Sequence, residues 1–507
     1  MYNKAIADEA WHYAGVARII HAYGYMLMTD LHGEMPYTEA CGEDATPSYD
    51  NGKTIYIGCL KALDEGLELL AKPQDPSKPS LAVGDWWNNG DVNKWIKLGN
   101  LLKARYINKL SKKQAGSYLE GKYDVQAILD ALSKGPQSID ESTVINHTDD
   151  NSATHDVLGW DEPVDYSPLY SVCGMNAGYM VTEMLYNNLT NFNGYGVEDP
   201  RADRIIPWAY SLKTADSPAE VKWDGNWRRS LGVDMTSQNS PSLVGGPLRA
   251  QYGENGWFID PAAAAERQGD TVYVESTSSS KGYAKNVDLI YRRNAAYPEG
   301  SRESGSFYTR VSSPSYVGTY AEACFIKAEV LFNSGSKAEA FAAYKEGIKA
   351  SMELMNKKLS SWVKEDENLA KCPSFRPMTQ QEMDNFLNNG IGTAGDLTLG
   401  MILTQKRIAL HFHIEIWNDM RRYDFDPNLF HGWGIPARHD VDASALKGIP
   451  NGKQFRRWRQ CSHEFNYNAE NLQAIGNEVP GANMSLEQWN QAEDAWTINV
   501  WWDSDQQ

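Results

Sequence analysis

The sequence predicts a mainly α fold, in which helix pairs of tetratricopeptide type form a curved scaffold that carries a large loop-rich excursion. Three observations predict it. First, YVGTYAEACFIKAEVLFNSGSKAEAFAAYKEGIKASMELMN (316–356) places Ala321, Phe325, Ala328 and Phe332 on one helical face. Ser334-Gly335-Ser336 then breaks the pattern, and Ala340, Phe341, Tyr344, Ile348 and Met352 form a second stripe. Second, one helix-turn-helix unit cannot bury its apolar face alone, and residues 1–135 supply further amphipathic helices to stack on it. Third, between 146 and 315 helical periodicity becomes rare, while Gly, Pro, Ser, Asn and Trp become frequent.

Taken in order, residues 1–28 read as one helix, and TDLHGEMPYTEA (29–40) turns the chain with Gly33 and Pro36 as breakers. Thr54 to Leu70 carries Ile57, Leu60, Leu63, Leu67 and Leu70 on one side, and the prolines at 73, 76 and 79 end it. Val92 to Leu110 aligns Trp95, Leu98, Leu102 and Tyr106, and Tyr123 to Leu132 pairs back on it. In the middle region, Leu169 to Leu189 is the best helical stretch, and DTVYVES is β-like. Thr379 to Asn389 reads as a short helix and Leu397 to Tyr423 as one long helix. The tail from Asp424 is loop-rich, with Trp433, Trp458, Trp489, Trp496, Trp501 and Trp502. The organisation expected is 1–145 helical, 146–315 loop-rich, 316–423 helical and 424–507 loop-rich, together one domain.

The formal net charge of −18, with no basic stripe to offset it, argues against nucleic acid and against an anionic lipid surface. The six cysteines show no CxxC pair, which excludes a zinc ribbon and a disulfide-dense scaffold, though one or two bridges remain compatible with them. No apolar run reaches membrane-spanning length. The chain begins inside a helical pattern (Ile6, Ala10, Tyr13, Ala17) without a signal segment or a lipidation motif, and so reads as a fragment lacking its natural start. There are 17 tryptophans, more than core packing ordinarily needs.

Several segments, in order, resemble the SusD/RagB family of outer-membrane nutrient-binding lipoproteins. They are TDLHGEMPYTEA, YDNGKTIYIGCLKALDEGLELL, GDVNKWIKLGNLLKARYINKL, EDPRADR (198–204), the helix pair within 316–356, and QKRIALHFHIEIWNDMRRYDFDP. The resemblance implies helix pairs in a curved wall and loops that build a ligand-binding face upon it. It implies capture of an oligosaccharide or polysaccharide, in some members a peptide, and delivery to a SusC-like TonB-dependent transporter. It further implies a lipid-anchored, cell-surface location at the outer membrane. Tyr37, Trp95, Asn100, Arg105 and Arg201 match the family pattern as fold positions.

Two stretches suit a saccharide. The loop GDWWNNGD holds Trp86, Trp87, Asn88 and Asn89, where indole faces stack on sugar C–H surfaces and amides serve hydroxyls. The same residues also suit tryptophans packed into the helix wall with Asn-Asn-Gly forming the turn. WDGNWRR places Trp223 and Trp227 four apart with Asp224 and Asn226 between them, and Trp257 lies in the same region with Trp160 and Trp208. Large loops also use tryptophan as their own small core, so two or three of these five are expected to be structural.

His411, His413 and Glu415 do not make a metal set on a helix, because His413 leaves the face the other two share. Asp419, Arg421 and Arg422 read instead as pairing residues that lock the segment to its neighbours. Asp161/Glu162 and Glu198/Asp199 are carboxylate pairs, but adjacent carboxylates do not mark a glycosidase, and no nucleophile elbow, HExxH helix or phosphate loop is present. No EF-hand spacing appears. The sequence thus points to a binding protein without catalysis or cofactor. A peptide cargo, a glycoside hydrolase on a helical scaffold and a protein–protein scaffold are the alternatives.

Overall fold

In a computed structural model of the chain, the structure describes residues 1–147, 167–169, 181–206, 208–214, 221–229, 232, 236, 272–273, 291–293, 303–310, 312–436, 453–490 and 492–507. The N-terminal layer is built from α1 (Tyr2–Ala7), α2 (Trp11–His32), α3 (Gly52–Leu70), α4 (Val92–Lys109) and α5 (Val125–Lys134). The helix expected over 1–28 is therefore two. The chain breaks where Asp8 and Glu9 would sit at a negative helix C-terminus, and Glu9 takes φ 55°. Side chains open the next three helices: Asn51 accepts the Thr54 N–H at 2.8 Å, Asp91 the Lys94 N–H at 3.1 Å and Asp124 the Ala127 N–H at 3.0 Å. α2 and α3 meet backbone to backbone, since a Cβ on Gly15 would lie 2.8 Å from the Gly66 carbonyl.

The middle of the chain adds α6 (Glu183–Thr190) and α7 (Ala202–Ile205). α6 occupies only the end of the stretch expected as a helix from Leu169, most of the rest lying outside the described residues. The strands are β1 (Thr143–Ile145), β2 (Trp208–Thr214), β3 (Val221–Arg229), β4 (Val272–Tyr273), β5 (Tyr291–Arg293), β6 (Glu303–Gly305) and β7 (Ser315–Gly318). Among the described residues, the region expected to be loop-rich holds a sheet of order β3-β2-β6-β5, with β4 also on β2. β1 and β7 form a separate antiparallel ribbon, with Val144 opposite Tyr316.

The C-terminal helical part begins with α8 (Tyr320–Asn333) and α9 (Lys337–Glu365), the pair expected from its apolar stripes. Gly335 at φ 84° closes α8, with the Ser336 N–H bonded to the Leu331 carbonyl and the Gly335 N–H to that of Phe332. α9 runs on to Glu365, because Leu359 and Trp362 continue its buried stripe. α10 (Gln380–Asn389) opens with a reciprocal Thr379–Glu382 cap. Residues 397–423 form two helices rather than one, α11 (Leu399–Ala409) and α12 (Glu415–Arg422). Between them Phe412 sits at φ 66°, and His411 and Phe412 pack against the Tyr308 ring at 5.1 and 6.0 Å. The tail, expected as loop, forms α13 (Ser462–Tyr467), α14 (Ala469–Ile475), α15 (Leu486–Asn490) and α16 (Ala492–Thr497). They fold around a small core of Leu472, Ile475, Val479, Met484, Trp489 and Ala495.

α8 is shared by two larger cores. Ala323, Ile326 and Val330 face the N-terminal helices, while Ala321, Phe325 and Ala328 face α9 and its neighbours. Along the seam the helices are joined by buried ion pairs. Arg105 of α4 holds Glu322 through Nε at 2.5 Å and Nη2 at 2.7 Å. Arg422 of α12 clamps Glu329 with both terminal nitrogens, and Asn108 and the Tyr423 hydroxyl complete that carboxylate at 3.1 and 2.8 Å. Lys109 reaches Asp30 at 2.6 Å and Glu415 at 3.0 Å, Lys406 reaches Asp419 at 2.8 Å, and Arg201 closes on Asp199 at 2.5 Å. Asp419 and Arg422 thus pair as expected from the sequence. Among the described residues the cysteines at 41, 59, 324, 372 and 461 form no disulfide with one another, and no helix is long and apolar enough to cross a membrane.

Removing one partner of a buried pair strands the other charge. Arg422→Met should therefore destabilise the protein by about 3–5 kcal/mol, and Arg422→Met with Glu329→Leu by much less, as read from urea midpoints. Burial raises the Glu329 pKa, but Arg422 overrides it and holds the carboxyl at about 2, below its ordinary 4.5. Protonation of Glu329 therefore favours the unfolded chain. Its contribution is complete above pH about 4.5 and is lost as the pH falls toward about 2, so the urea midpoint should drop across that window. Glu329→Gln should lack this component of the drop.

Candidate ligand-binding site

The loop between α3 and α4 is organised by one carboxylate. Asp85 Oδ1 accepts the amides of Trp87 and Asn88, both at 3.1 Å, and Oδ2 accepts the Gly90 amide at 2.8 Å and the Trp95 indole N–H at 2.7 Å. Gly90 is required here: its φ is 81°, and a Cβ would lie 2.5 Å from the Ala82 nitrogen. The four candidates in this loop consequently divide. Trp87 is half-buried, stacked on Trp95 at 5.6 Å and 13° and edge-on to Tyr23. Asn88 is buried, and its Oδ1 accepts the Thr143 hydroxyl at 3.0 Å. Asn89 is exposed at φ 53°. Trp86 is 60% exposed. Trp87 thus packs into the wall as one reading of the loop expected, while Trp86 faces water.

Beside this loop lies a pocket of about 260 Å³. Trp87, Asn88 and Asn89 form one side with Lys94 at the start of α4. Val144 and Tyr316, cross-strand neighbours on the β1–β7 ribbon, also line it. Leu354, Lys357, Lys358 and Ser361 complete it from one face of α9, at the spacing that puts side chains in a single row. Asp140 joins them and bonds Lys357 at 2.6 Å. The sequence reading missed the α9 row and the ribbon. The row was visible as an i, i+3, i+4, i+7 set, but the ribbon joins strands distant in sequence.

The second candidate cluster belongs to the sheet of the middle region. Trp223, Asp224, Asn226 and Trp227 are on β3, whose register sets Trp227 opposite Tyr210 and Trp223 opposite Leu212 with an irregularity between. Trp160 and Trp257 lie outside the described residues. In the tail, Trp489, Trp501 and Trp502 are buried and Trp458 is exposed against the edge of His32.

A second cavity, of about 290 Å³, lies between α6 and α11 and was not anticipated. Asn187, Asn188, Asn191 and Asn193 line it, and the signal was the asparagine density of YNNLTNFNG.

The carboxylate pair Glu198/Asp199 is consumed structurally. Asp199 is buried against Arg201, and Glu198 bonds Arg229 at 2.6 and 2.8 Å. Asp161/Glu162 lies outside the described residues. His411, His413 and Glu415 do not converge. His413 Nδ1 accepts the Glu415 amide at 3.2 Å, and the Glu415 side chain belongs to Lys109. The geometric reason given from sequence fails, since the segment is a turn rather than a helix, but Glu415 is taken by pairing as expected. The positions matching the family pattern act within the fold. Trp95 and Arg105 are buried, Tyr37 packs against Gly58, and Asn100 bonds the Ile96 carbonyl.

The sequence matches the family "SusD-like", described as "Starch-binding associating with outer membrane", over residues 1–227 and 268–442. Comparison with curated proteins gives no match. Solved structures share the fold over nearly the whole chain. A SusD homologue from Bacteroides fragilis is 19% identical, covers 97% of this chain and 84% of its own, and superposes with a TM-score of 0.59. A SusD/RagB family protein from Bacteroides thetaiotaomicron is 18% identical, with 98% and 81% covered and a TM-score of 0.59. A chitin-binding SusD homologue from Flavobacterium johnsoniae is 17% identical, with 98% and 81% covered and a TM-score of 0.57. The paired-helix scaffold and the matched segments make this chain a member of the SusD-like family of non-catalytic, nutrient-binding proteins of the outer membrane.

Proposed function

We propose that this protein captures an oligosaccharide or polysaccharide at the pocket beside the Trp86–Asn89 loop and delivers it to a SusC-like TonB-dependent transporter. The observation that carries this reading is Trp86. It is a large aromatic ring left in water, on a loop fixed by Asp85, next in the chain to the lining residues Trp87, Asn88 and Asn89. Most of that ring is open to solvent, and its apolar face matches the C–H face of a pyranose. The family description names starch, and a related solved structure is described as chitin-binding, which supports a glycan as the class of cargo.

Each aromatic contact adds about 1 kcal/mol beyond area burial, so a site of two or three rings binds in the roughly micromolar to millimolar range. Weak capture suits a protein that must release its ligand to a transporter. The Trp223–Trp227 strand and Trp257 stay within the proposal as a second contact region for a long chain.

Titration calorimetry with a glycan panel and a peptide pool tests the reading. Trp86→Ala should weaken glycan binding about two- to tenfold with an unchanged melting temperature. Trp87→Ala should weaken binding and also lower the melting temperature, because it removes the stack on Trp95. Asp85→Ala should reduce affinity with Trp86 still in place, through release of the loop, read as faster hydrogen exchange at Trp87, Asn88 and Gly90. Saturation by peptides with silence toward every glycan would retire the proposal.

A further inference from the structure

The cavity of about 290 Å³ between α6 and α11 has a polar wall, and among the described lining residues Glu183 is the one carboxylate and there is no lysine or arginine. Four asparagines from one short stretch of chain line it. Asn187 and Asn188 make no side-chain hydrogen bond among the described residues. Asn191 accepts the Gly196 amide on its Oδ1 at 2.9 Å and keeps its own N–H groups, while Asn193 donates to the Tyr195 hydroxyl at 3.4 Å and keeps its oxygen. This edge is held in place: Phe192 is buried in the core between Asn191 and Asn193, and the amides of Gly194 and Tyr195 close on the carbonyls of Asn191 and Phe192, both at 3.1 Å. Thr404, on α11, adds an independent observation. It lines the same cavity and is only 4% exposed, yet its hydroxyl makes no hydrogen bond among the described residues, not even back to the carbonyl one turn earlier. A polar group so placed costs stability unless something bonds it, and a ligand in the cavity would do so.

We propose that this cavity is a second saccharide site, which takes a neutral sugar unit whose hydroxyls are read by the four asparagine side chains and by Thr404. It is additional to the pocket beside the Trp86–Asn89 loop and does not depend on it. Each sugar hydroxyl is both donor and acceptor, and so is each asparagine side chain, so the two match edge to edge. An anionic ligand would meet the Glu183 carboxylate with no cation beside it among the described lining residues, whereas a hydroxyl can donate to that same carboxylate. Phe192 keeps its ring in the core, so recognition here runs through hydroxyls rather than through stacking. A site of that kind rejects a sugar that lacks or inverts a bonded hydroxyl, because the partner group is then left unpaired. A polysaccharide long enough to touch both sites is held by both at once, which raises its apparent affinity without any stronger contact at either.

The test uses the full chain, with and without Trp86→Ala, and a panel of neutral oligosaccharides cut from starch, cellulose, xylan, mannan, galactan and chitin; a pool of uncharged peptides is the other arm. Binding is followed by hydrogen exchange, which reports where a ligand sits. At least one oligosaccharide should slow exchange over 187–194, and should still do so in the Trp86→Ala chain. Asn187→Ala, Asn188→Ala and Thr404→Val should each raise the ligand concentration needed by about three- to tenfold, whereas Gln126→Ala, on α5, should not. Asn187 is exposed, so its variant reports even if the buried Thr404→Val fails to fold. The deoxy or epimeric form of the bound sugar should bind roughly tenfold more weakly or worse. Protection by sugars at the Trp86–Asn89 loop with none over 187–194 overturns this inference and leaves the glycan-capture reading of the first pocket standing. Protection over 187–194 with none at that loop upholds this inference and removes that reading. Protection over 187–194 by peptides alone, or by nothing in the panel, overturns it.

Discussion

The structure depends on two carboxylates that α8 carries into an apolar seam. Glu322 and Glu329 lie seven residues apart on one face of that helix, and both are buried. Neither can remain there unpaired, because a bare charge in such surroundings costs several kcal/mol. The cations come from elsewhere in the chain, Arg105 from α4 and Arg422 from α12. Each pairing admits one register of one helix against another. The apolar residues of α8 point toward two separate cores and could slide; the ion pairs fix where they stop. Lys109, Lys406 and Arg201 repeat the device around the seam, each with its own carboxylate.

The parts of the fold legible in the sequence were those with local causes. α3, α4, α5, α8 and α10 announced themselves through apolar periodicity and breakers, and the structure adds local caps at Asn51, Asp91, Asp124 and Thr379. The breaks at Glu9 and Phe412 were invisible because the apolar pattern runs straight through them, so periodicity alone joins the two pieces. What stops α11 before α12 is a tertiary fact: the packing of His411 and Phe412 against Tyr308, and the need to aim Glu415 and Arg422 inward. The β2–β6 sheet was harder to read for a related reason: β4, β5 and β6 span only two or three residues each, and β2, besides its neighbour β3, pairs with β4 and β6 far along the chain.

For the site, residue type was legible and residue role was not. Trp86, Trp87, Asn88 and Asn89 were conspicuous as a set, yet the structure gives each a different task. The difference arises from Trp95 and Thr143, which draw Trp87 and Asn88 inward. Nothing in the sequence sets the lysines of α9 apart from a solvated helix face. Only the position of that face, across the ribbon from the loop, makes them part of a cavity.

One further consequence concerns the far end of the chain. Val500, Trp501 and Trp502 belong to the core of the N-terminal helices, Trp501 lies 5.5 Å from the Tyr56 ring, and the Lys113 ammonium is capped by the carbonyls of Trp501 and Ser504 at 2.6 and 2.8 Å. The N-terminal layer of helices is thus sealed by residues far downstream in the sequence. Without them its apolar interior stands open, and contacts between residues so far apart in sequence close slowly. The N-terminal helices therefore complete their core only together with that downstream segment, not as a unit of their own.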